Sequence, residues 1–260
     1  MPIFISEGLL EPIHVQEMPN FANVDPRWHS PSWDADNVYT VPWQWGTTSF
    51  AVDTDIYGGD IDSYEVLFNP PTELQGKINM FNSPDEVVAM TLTYLGYELC
   101  SSNPDHFKAV SDVLQAQKPF VKTYTSEGIL DSMVAGEYAM SMYWNGATMR
   151  VRAERPSVRY AYPKEGVISW MDNLAIPKGA RNQENAMTFI NWFLTPEHAA
   201  MQSNFARYAN GVAGSEAFMD DELKTAPEIV LPEGAKTLFG LSCPEDYIRL
   251  TDRVWTRLKQ

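Results

Sequence analysis

Runs with β character alternate with helix patterns through the middle of the chain, and this alternation restricts the fold more than any other feature. Residues 76–81 predict a short strand, and a helix start follows directly at residues 83–86. Residues 104–117 predict a second helix, and residues 137–143 alternate with the period of two that is typical of a strand. Strands that alternate with helices indicate the α/β class.

The helix that follows residue 82 has a clear start signal. Ser83 is suited to cap the helix, Pro84 suits its first position, and Glu86 completes a capping box. On this interpretation Glu86 is a structural residue. Further strands are expected at 43–52 and 158–162, further helices at 126–135, 148–154, 182–194, 196–205 and 244–258, and mostly irregular chain at 1–40 and 209–240.

The stretch 166–177 combines an aromatic residue, an acid and an apolar run. If it forms a strand, Trp170 and Asp172 point to the same face, because side chains alternate along a strand. A carboxylate beside an indole suits an organic cation, since the acid pairs with the charge and the ring face attracts it. The alternative interpretation is an ordinary edge strand with a core tryptophan and a solvated aspartate.

Composition removes several classes of partner. The 260 residues carry a formal net charge of −15, which argues against nucleic acid and anionic membranes, because both need basic patches. The same charge is compatible with a cationic ligand. No apolar run of about 18 residues is present, so no transmembrane helix is expected. The N-terminus lacks a signal-peptide pattern, and the chain as written is therefore expected in the cytoplasm.

Motifs for catalysis are missing from the sequence. It contains neither a glycine-rich nucleotide loop nor a G-x-S-x-G nucleophile motif, and its four histidines lack metal-site spacing. We therefore expect no catalytic residues, metal or cofactor, although the many acids leave a paired-carboxylate glycosidase open. Cys100 and Cys243 are interpreted either as buried free thiols or as one disulfide of an oxidising compartment.

Three stretches occur in an order that resembles one protein family. They are 41–48 (VPWQWGTT), 143–146 (YWNG) and 163–177 (PKEGVISWMDNLAIP). With these stretches the chain resembles the spermidine/putrescine-binding proteins of bacterial ABC transporters. The resemblance continues over 180–197 and, more weakly, over 255–259.

The resemblance implies a two-lobed α/β protein of type II periplasmic-binding-protein architecture, with a polyamine in the cleft between hinged lobes. By position, Trp144 and Trp170 would stack on the methylene chain, and Asp172 would pair with an ammonium group. Glu86 matches a second ligand carboxylate, and Tyr208 matches a cleft tyrosine. The implied partners are a polyamine and an ABC transporter membrane permease, and the implied location is the periplasm. The expected lobes are 1–48 with 173–235, and 49–172 with 236–260.

Two departures keep other interpretations open. Ala147 lies where putrescine-preferring members resemble one another in carrying an aspartate, and Met1 matches a point inside the first lobe of the family. We therefore expect an incomplete first lobe, with Met1 an internal methionine of a longer protein. The alternatives are the same fold with another amine or an amino-acid derivative, a truncated remnant that binds nothing, and a carbohydrate-active enzyme. Trp144 is also explained as a core residue.

Overall fold

Strands and helices alternate along most of the chain in the computed structural model, which describes residues 1–240 and 242–260. The strands are β1 (Thr40–Asp53), β2 (Ile78–Met80), β3 (Val121–Tyr124), β4 (Met140–Trp144), β5 (Val158–Tyr160), β6 (Val167–Ala175), β7 (Ala209–Asn210) and β8 (Thr237–Phe239). The helices are α1 (Pro2–Ser6), α2 (Glu65–Phe68), α3 (Pro84–Tyr94), α4 (Pro104–Gln117), α5 (Ile129–Val134), α6 (Asn145–Glu154), α7 (Gln183–Phe193), α8 (Pro196–Ala206), α9 (Asp221–Thr225) and α10 (Glu245–Lys259). Short 3-10 turns occupy much of the segment before β1.

The starts of three helices can be compared with the starts predicted from local sequence signals. α3 begins at Pro84 as predicted, but the Ser83 side chain makes no capping hydrogen bond, so the predicted capping box is wrong at that residue. α5 begins at Ile129 rather than 126, because Gly128 directly before it has a left-handed conformation with φ of 66°. α6 begins at Asn145, three residues before the predicted start.

The chain forms two compact units, and each unit is built from two segments. Unit 1 comprises Met1–Gly46 and Met171–Ile229, and unit 2 comprises Thr47–Trp170 and Val230–Gln260. β1 and β6 each begin in one unit and continue into the other. The predicted assignment of the chain to two hinged lobes with the boundaries given above stays a prediction.

Unit 2 is a mixed sheet with helices packed on it. The strand order is β3-β2-β4-β1-β6-β8, and β5 also pairs with β1. β2 is parallel to β3 and β4, whereas β1 is antiparallel to β4 and β5. Strands in the middle of such a sheet are expected to be apolar on both faces, and β2 is buried at all its residues. The core cluster includes Phe50, Met140 and Tyr247, the last of which comes from α10.

A disulfide joins Cys100 and Cys243 within unit 2, with Cα atoms 5.1 Å apart. Cys100 lies between α3 and α4, and Cys243 is separated from the start of α10 by Pro244. Because α10 packs against α3 and α4, the bond reinforces an existing helix contact. The interpretation of these residues as two free thiols is therefore wrong.

Unit 1 has a smaller core of its own. As predicted, α7 is amphipathic, with Ile190 and Phe193 inside the core cluster and Ala186 and Met187 packed against it. Its pattern follows the 3.6-residue period that places every third or fourth side chain on one face. β7 pairs with the part of β1 that belongs to unit 1, in the register Gln44 opposite Asn210 and Trp45 opposite Ala209.

Candidate functional site

Trp144 is placed by the pairing of β1 with β4. It ends β4, and its partner across the sheet is Thr48 of β1. The chain then turns into α6 at Asn145, whose Oδ1 accepts a 3.1 Å hydrogen bond from the backbone N–H of Thr47. This bond fixes the strand end from which the indole projects. The half-buried ring packs on Phe81, with 4.6 Å between ring centroids.

Glu86 lies in the first turn of α3 and directs its carboxylate at β1 and β4. Its Oε1 accepts hydrogen bonds from Trp144 Nε1 (3.0 Å) and from Thr48 Oγ1 (3.2 Å). Burial raises the pKa of Glu86, while the hydrogen bonds from Trp144 and Thr48 act in the opposite direction. The net rise means that the negative charge is incompletely compensated, and a cation beside it would offset that cost.

Trp170 joins the same group through one hydroxyl. Its Nε1 donates a 3.1 Å hydrogen bond to Thr48 Oγ1, and the Thr48 side chain is buried. Three of the five predicted site residues, Glu86, Trp144 and Trp170, are therefore brought together in unit 2. Thr48 joins them although no role was predicted for it. The sequence feature that could have indicated Thr48 is its place in the stretch 41–48, which carries the resemblance. Threonine is common in β-rich runs, however, so its presence there does not by itself indicate a functional residue.

Asp172 and Tyr208 belong to unit 1, because the boundary between the units follows Trp170. Asp172 is exposed, and its Oδ2 accepts a 2.9 Å hydrogen bond from Gln44 Nε2. Gln44 Oε1 in turn accepts a hydrogen bond from Gln202. Tyr208 is buried directly before β7. The predicted same-face arrangement of Trp170 and Asp172 stays a prediction.

Position 147 carries an alanine and not a carboxylate. Ala147 is buried in the first turn of α6, so the departure noted in the sequence concerns an interior methyl group.

Among residues 1–240 and 242–260, no three His, Cys, Asp or Glu side chains are grouped as a metal ion requires. In the same part of the chain, no helix combines the length and the apolar character needed to cross a bilayer.

Sequence comparison places the chain in a family. The family model described as bacterial extracellular solute-binding protein matches residues 1–230. The chain belongs to this family. At the family level these proteins bind solutes for transport and are not enzymes.

Curated relatives match the chain over 74% to 100% of its length. The spermidine/putrescine-binding periplasmic protein of Salmonella typhimurium is 34% identical over 194 residues, which are 74% of this chain and 55% of that protein. The putrescine/agmatine-binding protein of Pseudomonas aeruginosa is 27% identical over 278 residues, covering 100% of this chain and 76% of that protein. The predicted resemblance is thus confirmed, and the chain spans about half the length of the first of these relatives.

Solved structures confirm the α/β fold of two-lobed periplasmic binding proteins. A Listeria monocytogenes structure assigned to a spermidine/putrescine ABC transporter has a TM-score of 0.91 at 27% identity, covering 100% of this chain and 80% of the other. The substrate-binding protein of the Streptococcus pneumoniae spermidine/putrescine ABC transporter has a TM-score of 0.84, at 22% identity and with 99% and 80% of the two chains covered. At 22% identity, this second likeness concerns the fold alone.

Proposed function

We propose that this chain binds a polyamine of the spermidine/putrescine class as the solute-binding component of an ABC importer. The observation that carries the proposal is the Glu86 carboxylate, which is half-buried and contacts the N–H of Trp144 and the hydroxyl of Thr48. Family membership and the polyamine-binding relatives support the ligand class.

The chemistry of unit 2 suits an alkylammonium ion. A carboxylate whose pKa is raised by burial gains most from a cation that replaces the lost hydration. Indole rings attract ammonium groups through their quadrupole and also provide apolar surface for methylene groups. Trp144 and Trp170, both half-buried, are the proposed rings. A neutral sugar would use the rings but not the charge.

Asp172 of unit 1 is the proposed partner of a further ammonium group. It is exposed and is oriented by Gln44, and hydrogen bonds between ionised groups are stronger than those between neutral groups. Tyr208 is proposed as an additional ligand contact from unit 1. The net charge of −15 favours the approach of cations over anions, because a field of one sign steers ligands of the opposite sign.

The proposed partner is an ABC transporter membrane permease, and the proposed location is the periplasm. Both follow from the relatives, which are named as periplasmic binding proteins or ABC transporter components. The disulfide between Cys100 and Cys243 supports the location independently, because disulfides persist in oxidising compartments and are rare in the cytosol.

A further question is which amine the chain binds. Ala147 leaves one carboxylate fewer than the resemblance implies for putrescine-preferring proteins, and the relative from Pseudomonas aeruginosa is named for putrescine and agmatine. Another amine is therefore the second candidate, and the proposal is tested with putrescine, spermidine and agmatine together.

Isothermal titration calorimetry tests the proposal directly. We expect saturable binding of at least one of the three amines and no binding of maltose or glutamate. NMR of each amine and of maltose after incubation should show them chemically unchanged, as a binding protein requires. Absence of binding for all three amines would overturn the proposal, and turnover of an amine or a sugar would support an enzyme instead.

A further inference from the structure

The Thr48 hydroxyl lies at the centre of the contacts among the proposed ligand groups of unit 2. Its oxygen accepts a hydrogen bond from Trp170 Nε1 at 3.1 Å and donates one to Glu86 Oε1 at 3.2 Å. A hydroxyl has one proton to donate and lone pairs to accept. The two bonds therefore have compatible directions: the bond to Glu86 uses the only hydrogen on Thr48 Oγ1, and the bond from Trp170 uses a lone pair.

A second path closes the network on the same carboxylate oxygen. Trp144 Nε1 donates to Glu86 Oε1 at 3.0 Å, and Trp144 is also the cross-strand neighbour of Thr48. Backbone pairing thus sets the distance between Thr48 and Trp144, and the two side chains meet at Glu86. Loss of the Thr48 hydroxyl would leave the carboxylate with one donor fewer and would remove the acceptor of the Trp170 N–H.

We infer that Thr48 is a positioning residue of the ligand site, which holds the Trp170 indole and the Glu86 carboxylate in a fixed mutual orientation before the ligand arrives. This inference rests on the proposed function. Preorganisation of a site increases affinity because less side-chain freedom is lost on binding. At 3.2 Å the bond from Thr48 to Glu86 is longer than the strong charge-assisted bonds between a hydroxyl and a carboxylate, so its role is to orient the two groups.

Thr47 provides a matched control for the inference. It is the preceding residue of β1, is also buried, and its hydroxyl lies 2.9 Å from the hydroxyl of Tyr160. Neighbouring side chains of a strand point to opposite faces. The Thr47 hydroxyl accordingly bonds to Tyr160, which is not one of the three ligand groups. A general loss of stability from removing a buried hydroxyl should therefore affect Thr47→Val and Thr48→Val alike.

The experiment compares Thr48→Val, Thr48→Ser, Thr48→Ala and Thr47→Val in the 260-residue chain. Putrescine and spermidine affinity is measured by calorimetry, and folding is checked by thermal unfolding. We expect Thr48→Val and Thr48→Ala to weaken binding by about tenfold, the size of one hydrogen bond to a charged group. Thr48→Ser should restore affinity to within about twofold of wild type, since it keeps the hydroxyl. Thr47→Val should bind as wild type does.

The indole N–H signals in a ¹H–¹⁵N spectrum of the ligand-free protein provide the independent readout. The Trp170 signal, assigned by its disappearance in Trp170→Phe, should shift in Thr48→Val and return towards its wild-type position in Thr48→Ser. An unchanged Trp170 signal in Thr48→Val would overturn the network, and unchanged affinity would overturn the positioning role. Failure of the wild type to bind either polyamine would defeat the proposed function instead, whatever the indole signals show.

Discussion

The indole nitrogen of Trp144 lies 3.0 Å from Glu86 Oε1, while the same ring packs 4.6 Å from the Phe81 ring centroid. Trp144 can therefore be a core residue and a ligand residue at the same time. Its apolar body is joined to the core of unit 2, and its polar edge contacts the acid. A tryptophan buried in this way usually finds a hydrogen-bond partner for its N–H.

Replacement of Glu86 by glutamine should weaken polyamine binding by about 1.5–3 kcal/mol, the range for hydrogen bonds to charged groups. The reason is that glutamine keeps the shape and loses the charge. Calorimetry with spermidine measures the change. Asp105→Asn is the matched control, because it removes an exposed carboxylate from the first turn of α4 in the same unit; equal losses in both variants would contradict a specific role for Glu86.

Stability should respond to pH through Glu86 in a defined direction. Burial raises its pKa, so between its ordinary and its raised pKa the folded state binds more protons than the unfolded state. The contribution of Glu86 to the free energy of unfolding therefore decreases as pH rises through this window. Urea unfolding of wild type and Glu86→Gln from about pH 4 to about pH 8 isolates the effect as a difference. Parallel pH profiles would show that Glu86 has an ordinary pKa.

Replacement of Trp144 by phenylalanine separates packing from hydrogen bonding. The variant keeps an aromatic ring near Phe81 and removes the N–H that lowers the pKa of Glu86. We expect the Glu86 pKa to rise further, so that the pH below which polyamine affinity declines moves upward. Calorimetry over a pH series detects the shift. Unchanged pH dependence together with a large loss of stability would assign Trp144 to the core alone.

Asp172→Asn should reduce polyamine affinity by about 1.5–3 kcal/mol without a comparable loss of stability. Asp172 is exposed, and its hydrogen bond from Gln44 can also be accepted by the asparagine oxygen. Thermal unfolding and calorimetry are both needed. Asp36→Asn changes the net charge equally at another exposed aspartate of unit 1, so a similar affinity loss there would point to a general charge effect.

Removal of the disulfide should destabilise unit 2. We expect Cys100→Ser combined with Cys243→Ser to lower the free energy of unfolding by about 2–5 kcal/mol, because the bond closes a long loop and restricts the unfolded chain. Urea unfolding with and without a reducing agent measures this. Reduction should affect the wild type and leave the double variant unchanged; an equal midpoint for both proteins would mean that the cross-link adds no stability.

Sequence patterns predicted the elements with strong local signals. α4 begins and ends at the predicted residues, because Pro104 suits a first turn and a helical pattern follows it. α5 begins later than predicted because the conformation of Gly128 is not evident from its neighbours. Ser83 makes no capping bond, and the carboxylate expected to complete the capping box instead contacts Thr48 and Trp144 across the sheet.

The candidate site was predictable in its residue types but not in its connections. Motif resemblance pointed to Glu86, Trp144 and Trp170, which unit 2 brings together. Thr48 has no predicted role beyond its place in the stretch 41–48, because its two hydrogen bonds join it to residues 38 and 122 positions away. Pairing of β1 with β6 and packing of α3 bring such distant residues together, and spacing along the chain does not encode either contact.

The cross-link between Cys100 and Cys243 also determines an order of events during synthesis. Cys243 follows Cys100 by 143 residues, so at typical translation speeds Cys100 waits on the order of ten seconds for its partner. Because the sequence contains two cysteines, the Cys100 thiol has no partner within the chain during this interval. Because α10 begins two residues after Cys243, formation of the disulfide ties the start of this helix to the segment between α3 and α4.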